Sequence, residues 1–314
     1  MKKLIPIVSL FLFASLYSVA SEIGDRTIPA DVAQLSDSLK RQYAPDKRVA
    51  LFDVDYSFSG KNVMLRGVTT STEAKAALLN GLSKADYQVM DCLQVLPDEA
   101  ALEGKTYGII NVSVSNLRVD PDFSSEMMTQ GLMGMPVRVL QRDGWYRIQT
   151  PDNYIAWVHR VGIHPVTKEE LHVWNRAEKI VVTSHYGFVY SEPNQSSQTV
   201  SDVVAGNRLK WEGTKGAFYK VAYPDGRTGY ISKSISMPEK KWRAALKQDA
   251  ASIIRTAHTL MGVPYLWAGT SSKGIDCSGF MRTILFIHDI IIPRDASQQA
   301  YVGCLLYTSD AADD

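Results

Sequence analysis

Asp276-Cys277-Ser278-Gly279, preceded by Gly262-Val263-Pro264-Tyr265-Leu266-Trp267 and followed by Pro293-Arg294-Asp295-Ala296-Ser297-Gln298, decides how the C-terminal part of this chain is read. A cysteine attacks a carbonyl only as thiolate, and the free side chain titrates about 1 to 2 units above neutral, so a reactive thiol needs local help. The letters around Cys277 supply a helix start. Gly274 breaks what precedes it, and Asp276 is a capping residue type. Cys277 opens an apolar run, with Phe280, Ile284 and Ile287 beside Met281 and Leu285, at the three- and four-residue spacing of an amphipathic helix. The thiol is therefore predicted at the positive end of a helix dipole.

A thiol also needs a base, and the only histidine after Cys277 is His288, eleven residues on. On one helix that separation is ~16 Å along the axis. His288 cannot be the partner, so the chain as given is expected to hold half of a thiol site.

Working outward, 314 residues with 45% hydrophobic content support two or more domains. The balance of 34 basic against 33 acidic residues gives no grip on a phosphate backbone, so no nucleic-acid partner is expected. Lys2 and Lys3 precede a short apolar run, 4–17, and Ser18-Val19-Ala20 offers the small residues a signal peptidase reads. Residues 1–20 read as a removed secretory signal, which implies export to the periplasm or beyond and no stable membrane span afterwards. Three cysteines leave an odd thiol. Cys277 is read as the free reactive one, and Cys92, in the apolar run 87–96, as a small buried thiol. His159, His164, His172 and His185 have no second ligand at metal spacing, and His258 falls mid-helix, so neither a metal nor a cofactor is expected.

The fold class expected is α+β and multi-domain. Residues 21–104 form a small α+β unit: a helix over 31–43, strands over 49–56 and 63–68, a helix over 71–83 starting at Thr72, and a strand over 87–96. Residues 105–236 hold a repeat. Trp145-Tyr146-Arg147-Ile148, Pro151-Asp152-Asn153 and Ala156-Trp157-Val158 recur as Phe218-Tyr219-Lys220-Val221, Pro224-Asp225-Gly226 and Gly229-Tyr230-Ile231, always 73 residues later. Gly134 and Gly206 fall in register within one residue. Short alternating strands with hairpin-tip dipeptides predict two tandem β-barrels, 105–166 and 178–236. Residues 239–303 follow, starting with one helix over 239–261.

Each repeat resembles a bacterial SH3-like domain, with Val114-Ser115-Asn116-Leu117-Arg118 and Ser124-Ser125-Glu126 as the opening of the first. The whole order resembles NlpC-type, papain-like cell-wall cysteine peptidases, in particular the dipeptidyl-peptidase VI-like γ-D-glutamyl-L-diamino-acid endopeptidases. That resemblance implies hydrolysis of the γ-D-glutamyl to L-diamino-acid bond in peptidoglycan stem peptides with a free N-terminal L-Ala. It implies Cys277 as nucleophile, with Tyr265, Asp276 and Ser278 shaping the cleft and Asp295 meeting the L-Ala amine. Glu126 and Trp157 are the candidates by which the first barrel closes that end of the cleft. Such enzymes carry a histidine downstream of the nucleophile helix. Residues 239–303 therefore read as the helical N-terminal half of the catalytic domain, C-terminally truncated, and 304–314 as a non-native tail. Two other readings stay open: a non-catalytic module that binds wall peptide through its barrels, and an acyltransferase using the same thiol.

Overall fold

The computed structural model describes residues 27–303, which form two units, one on each side of Leu96 and Pro97. The calls on the signal, 1–20, and the tail, 304–314, lie outside the described residues. Among the described residues no helix is long and apolar enough to cross a membrane.

The first unit runs α1 (Ala30–Tyr43), β1 (Phe52–Ser59), β2 (Asn62–Thr69), α2 (Thr72–Lys84) and β3 (Gln88–Val95). β1 and β2 are an antiparallel hairpin and β3 lies parallel to β2, so α2 is the crossover between them. Ser71 rather than Thr72 caps α2, its hydroxyl accepting from Ala74 N at 3.0 Å. Val32 and Leu39 of α1 and Leu78 and Leu82 of α2 share a core with Phe52 and Leu65 of the sheet. One face of the sheet is covered and the other is open. Cys92 lies on the open side and is exposed, which corrects its reading as a buried thiol: apolar neighbours in sequence could not tell the two faces of β3 apart.

The second unit begins with a seven-stranded barrel made of β4 (Tyr107–Ile110), β5 (Val114–Arg118), β6 (Met127–Leu132), β7 (Pro136–Asp143), β8 (Trp145–Gln149), β9 (Ile155–His159) and β10 (Ile163–Val166). After α3 (Lys168–Arg176), started by a Thr167/Glu170 capping box, comes a second barrel. Its strands are β11 (Lys179–Val182), β12 (Tyr186–Tyr190), β13 (Thr199–Val204), β14 (Arg208–Lys215), β15 (Phe218–Ala222), β16 (Thr228–Ser232) and β17 (Ser236–Pro238). The sheet orders, β10-β4-β7-β8-β9-β5-β6 and β13-β12-β16-β15-β14-β11-β17, are the same topology read from opposite ends. The 73-residue repeat is thus structural: both hairpin tips place a residue at positive φ, Asn153 at 64° and Gly226 at 86°.

The barrels dock through their cores. Met133 of the first is buried in the core of the second, and Val204 of the second in that of the first. At Gly134 (φ 83°) a Cβ would stand 2.2 Å from the Arg208 carbonyl oxygen, so only glycine permits this approach.

The C-terminal segment contains α4 (Glu239–Ala245), α5 (Ala250–Thr259), the two-stranded β18 (Thr270–Ser271) and β19 (Gly274–Ile275), α6 (Cys277–Ile287) and α7 (Ala296–Gln299). The single helix expected over 239–261 is two. Leu246 leaves helical geometry and Asp249 caps a new start by accepting from Ser252 N at 2.7 Å. The break frees the Lys247 carbonyl for His288 Nδ1 (2.8 Å) and Gln248 Nε2 for the His288 carbonyl (2.9 Å), a tertiary demand that the apolar spacing does not express.

Candidate active site

Cys277 is exposed on the first turn of α6, and Asp276 is the cap. Asp276 Oδ1 accepts from Gly279 N at 2.7 Å, while Oδ2 accepts from Ala268 N at 2.9 Å and from Arg294 Nη2 at 2.6 Å. Burial works against the ionised Asp276 carboxyl. The Arg294 guanidinium and the Gly279 and Ala268 amides outweigh it and hold the group below the usual carboxylate range. The cap residue is therefore an ion as well as an acceptor, at the helix end where an anion is favoured.

Arg294 is the residue that sequence reasoning missed. Its side chain is 2% exposed, and it donates to Asp276 and, from Nη1, to Ser278 Oγ at 2.7 Å, so it ties together the two neighbours of the thiol. Gln299 donates to the Ser278 carbonyl at 3.1 Å and to the Pro293 carbonyl at 2.9 Å, which closes the loop behind Arg294. The available signal was the Pro-Arg-Asp motif itself, in which the reading passed over Arg294 and settled on Asp295. Gly279 completes the seat: a Cβ there would lie 2.0 Å from the Gly269 carbonyl oxygen. Asp276 and Ser278 are thus both buried beneath the thiol, bound inward.

Tyr265 bridges to Ile275, and Leu266 N donates to the Ile275 carbonyl at 3.1 Å, which sets this aromatic segment beside the strand leading into Cys277. Tyr265 and Trp267 are 67% and 62% exposed, unlike core aromatics. Trp267 Nε1 donates to Glu126 Oε1 of the first barrel at 2.9 Å. Asp295 accepts from Tyr154 of the same barrel at 2.9 Å, and its own amide reaches Gln298 Oε1 at 3.3 Å. Gln130 Oε1 accepts from Thr270 N at 2.9 Å and Ser271 Oγ at 3.0 Å. Arg282 of α6 forms a buried pair with Asp152 at 2.9 Å. The first barrel is therefore bound to the thiol-bearing segment through Glu126, Gln130, Asp152 and Tyr154. Trp157 is buried in β9 with the Arg147 guanidinium 5.7 Å from its ring, so its described contacts are within the barrel.

The histidines stand elsewhere. His288 closes α6 at the far end from Cys277, its Nε2 2.8 Å from Thr256 Oγ1. His185 is engaged with Thr259 Oγ1 at 3.2 Å, and His159 packs against Phe123 and Trp145. Among the described residues none hydrogen-bonds Cys277.

Comparison with known proteins matches residues 117–162 to the bacterial dipeptidyl-peptidase Sh3 domain, 185–236 to the bacterial SH3 domain and 262–311 to the NlpC/P60 family. Among curated proteins, a γ-D-glutamyl-L-lysine dipeptidyl-peptidase of Bacillus cereus is 28% identical, over 57% of this chain and 56% of its own length. Dipeptidyl-peptidase 6 of Lysinibacillus sphaericus is 25% identical, over 60% and 72%. The chain thus spans little more than half of the B. cereus relative. A solved NlpC/P60 family protein from B. cereus superposes with a TM-score of 0.56 at 24% identity, covering 65% of this chain and 79% of that one, which is a likeness of fold.

Proposed function

We propose that this chain, a homologue of γ-D-glutamyl-L-lysine dipeptidyl-peptidases that carries an NlpC/P60 domain behind two bacterial SH3 domains, is an exported cysteine peptidase of peptidoglycan stem peptides. Cys277 Sγ attacks the γ-carbonyl carbon of D-Glu, the bond to the diamino-acid nitrogen breaks, and water releases the acyl group. The single observation that carries this reading is an exposed thiol on the first turn of α6 whose two neighbours are locked by the buried Arg294. Glu126 and Asp295 are the carboxylates suited to a free L-Ala amine. Each already accepts a hydrogen bond, from Trp267 and Tyr154 respectively, which fixes the direction of the carboxylate.

One observation favours a second reading for the chain as given. No described histidine is bonded to Cys277, so the 314-residue chain is expected to hold the stem peptide with little turnover. The test uses L-Ala-γ-D-Glu-L-Lys with this chain and with the chain extended by the C-terminal stretch of the B. cereus relative. Release of L-Lys by the extended chain and binding alone by the shorter one is the expected result. Binding without release by both would leave only a peptide-holding module.

A further inference from the structure

The two barrels are copies of one design, and comparing them isolates a surface. β5 and β12 hold the same place. Val114↔Leu132 in the first barrel matches Tyr186↔Val204 in the second, and the register shifts at the far end of both strands. In the first barrel this strand carries Asn116 and Arg118. Asn116 accepts from Gln130, the residue that seats β18, and Arg118 donates to the Ser125 carbonyl. That face is taken up by polar side chains, Asn116 steadying the residue that holds β18 and Arg118 closing the barrel's own loop.

In the second barrel the corresponding positions are Phe188 and Tyr190, with Tyr186 ahead of them and Tyr230 paired beside Tyr190 on β16. These rings face away from the core, which takes the intervening Val189. Tyr186 and Phe188 lie 5.2 Å apart, centroid to centroid, and Phe188 and Tyr190 6.4 Å. Tyr186 is 53% exposed, and among the described residues the hydroxyls of Tyr186, Tyr190 and Tyr230 have no hydrogen-bond partner. The fold does not need the three β12 rings, since its twin carries Val114, Asn116 and Arg118 at the same positions of β5; only Tyr230 has an aromatic counterpart, Trp157. A solvent-reached row of aromatic side chains, exposed at Tyr186 and half-buried at Phe188, Tyr190 and Tyr230, marks a binding face. The row is also continuous with the thiol-bearing segment: the carbonyl of His185, one residue before Tyr186, accepts from Ser272 Oγ.

We propose that Tyr186, Phe188, Tyr190 and Tyr230 form a binding face for an uncharged glycan strand, a β-linked chain of N-acetylated amino sugars. A pyranose ring offers a C–H face to each aromatic face and hydroxyl and acetamido groups at its edge, where free tyrosine hydroxyls wait. The charged side chains paired into this face are Lys220, opposite Tyr230, and Asp202, opposite Phe188, and Asp202 is already bound to Lys273. Among the described residues a charged polymer would find only Lys220 there, whose charge already acts on Glu212. A peptide would add to the edge strand β13 through its backbone rather than lie across a row of rings. The proposal rests on the cell-wall reading above: the second barrel holds the sugar strand while the first attends to the stem peptide.

The test is calorimetric titration of the 314-residue chain with a β-1,4-linked N-acetylglucosamine hexamer. Tyr186→Ala and Tyr230→Ala should each weaken binding about tenfold. Phe188→Tyr, which keeps the ring, should retain the parent affinity and so separate lost stacking from lost folding. Absence of hexamer binding by the parent overturns the proposal, as does binding unchanged in both alanine variants or abolished by saturating L-Ala-γ-D-Glu-L-Lys. Labelling of Cys277 by a stem-peptide electrophile, run on the same samples, should be the same in parent and variants. If that labelling is absent while the hexamer binds through the rings, the peptidase reading fails and the glycan face stands.

Discussion

Arg294→Met removes the guanidinium that, among the described residues, pairs with Asp276 from within the fold. Both side chains are nearly out of water, at 2% and 7% exposed, and the bond between them is 2.6 Å. A methionine of similar length fills the space and leaves an ionised carboxylate with only the Gly279 and Ala268 amides and the Ser278 hydroxyl. Removing one partner of a buried pair costs about 3–5 kcal/mol, because the remaining charge stays desolvated. The loss falls on the first turn of α6, so amide hydrogen exchange there should accelerate by roughly 10²- to 10⁴-fold. The pH dependence distinguishes this from simple loss of packing. In the parent, Asp276 titrates below its unfolded value, so its contribution is present above that value and is lost as pH falls through the folded one. In the variant burial is uncompensated, and protonation of Asp276 relieves it. The gap between parent and variant should therefore narrow toward acid, and Asp276→Asn combined with Arg294→Met should recover part of the stability at neutral pH. A loss below about 1 kcal/mol, or a gap constant with pH, would refute the electrostatic account of the seat.

Other outcomes follow from the same geometry. Gly279→Ala forces a Cβ to within 2.0 Å of the Gly269 carbonyl oxygen and should cost at least ~1–3 kcal/mol, read as a lower urea midpoint with slower alkylation of Cys277. Asp152→Ala strands the buried Arg282 and should destabilise α6 by about 3–5 kcal/mol, measurable by hydrogen exchange across 277–287. Burial lowers Lys179 to about 8, so the unfolded chain holds more protons than the folded one above that pH. Stability from this group should rise from pH 8 toward 10.5, on the order of 3 kcal/mol in all, and denaturation curves of Lys179→Met should lack that rise. Trp267→Phe frees Glu126 of a hydrogen bond worth about 1 kcal/mol and should weaken stem-peptide binding several-fold without changing the melting temperature of the barrels.

The tandem barrels were legible because their signals are local. The paired tips at Pro151-Asp152-Asn153 and Pro224-Asp225-Gly226 and the left-handed glycines Gly134 and Gly206 are dictated within a few residues. The cap at Asp276 was legible for the same reason, since its acceptor and the Gly279 amide are three residues apart. What was not legible depends on distant partners. The break between α4 and α5 is set by His288, 41 residues from Lys247. Arg294 acquires its role only when the chain returns to Asp276, and the exposure of Cys92 depends on which face of β3 the helices cover. Asp295 read as a ligand for an amine, and the structure adds its bond to Tyr154, which no spacing within 239–303 could announce.

The most direct measurement is affinity labelling of the 314-residue chain with L-Ala-γ-D-Glu carrying an electrophile at the γ-carbonyl, read by peptide mass mapping. Modification confined to Cys277, sparing Cys92, which is also exposed, and lost when the L-Ala amine is acetylated, is the result the account predicts. Equal modification of Cys92 and Cys277, indifferent to the state of that amine, would contradict it.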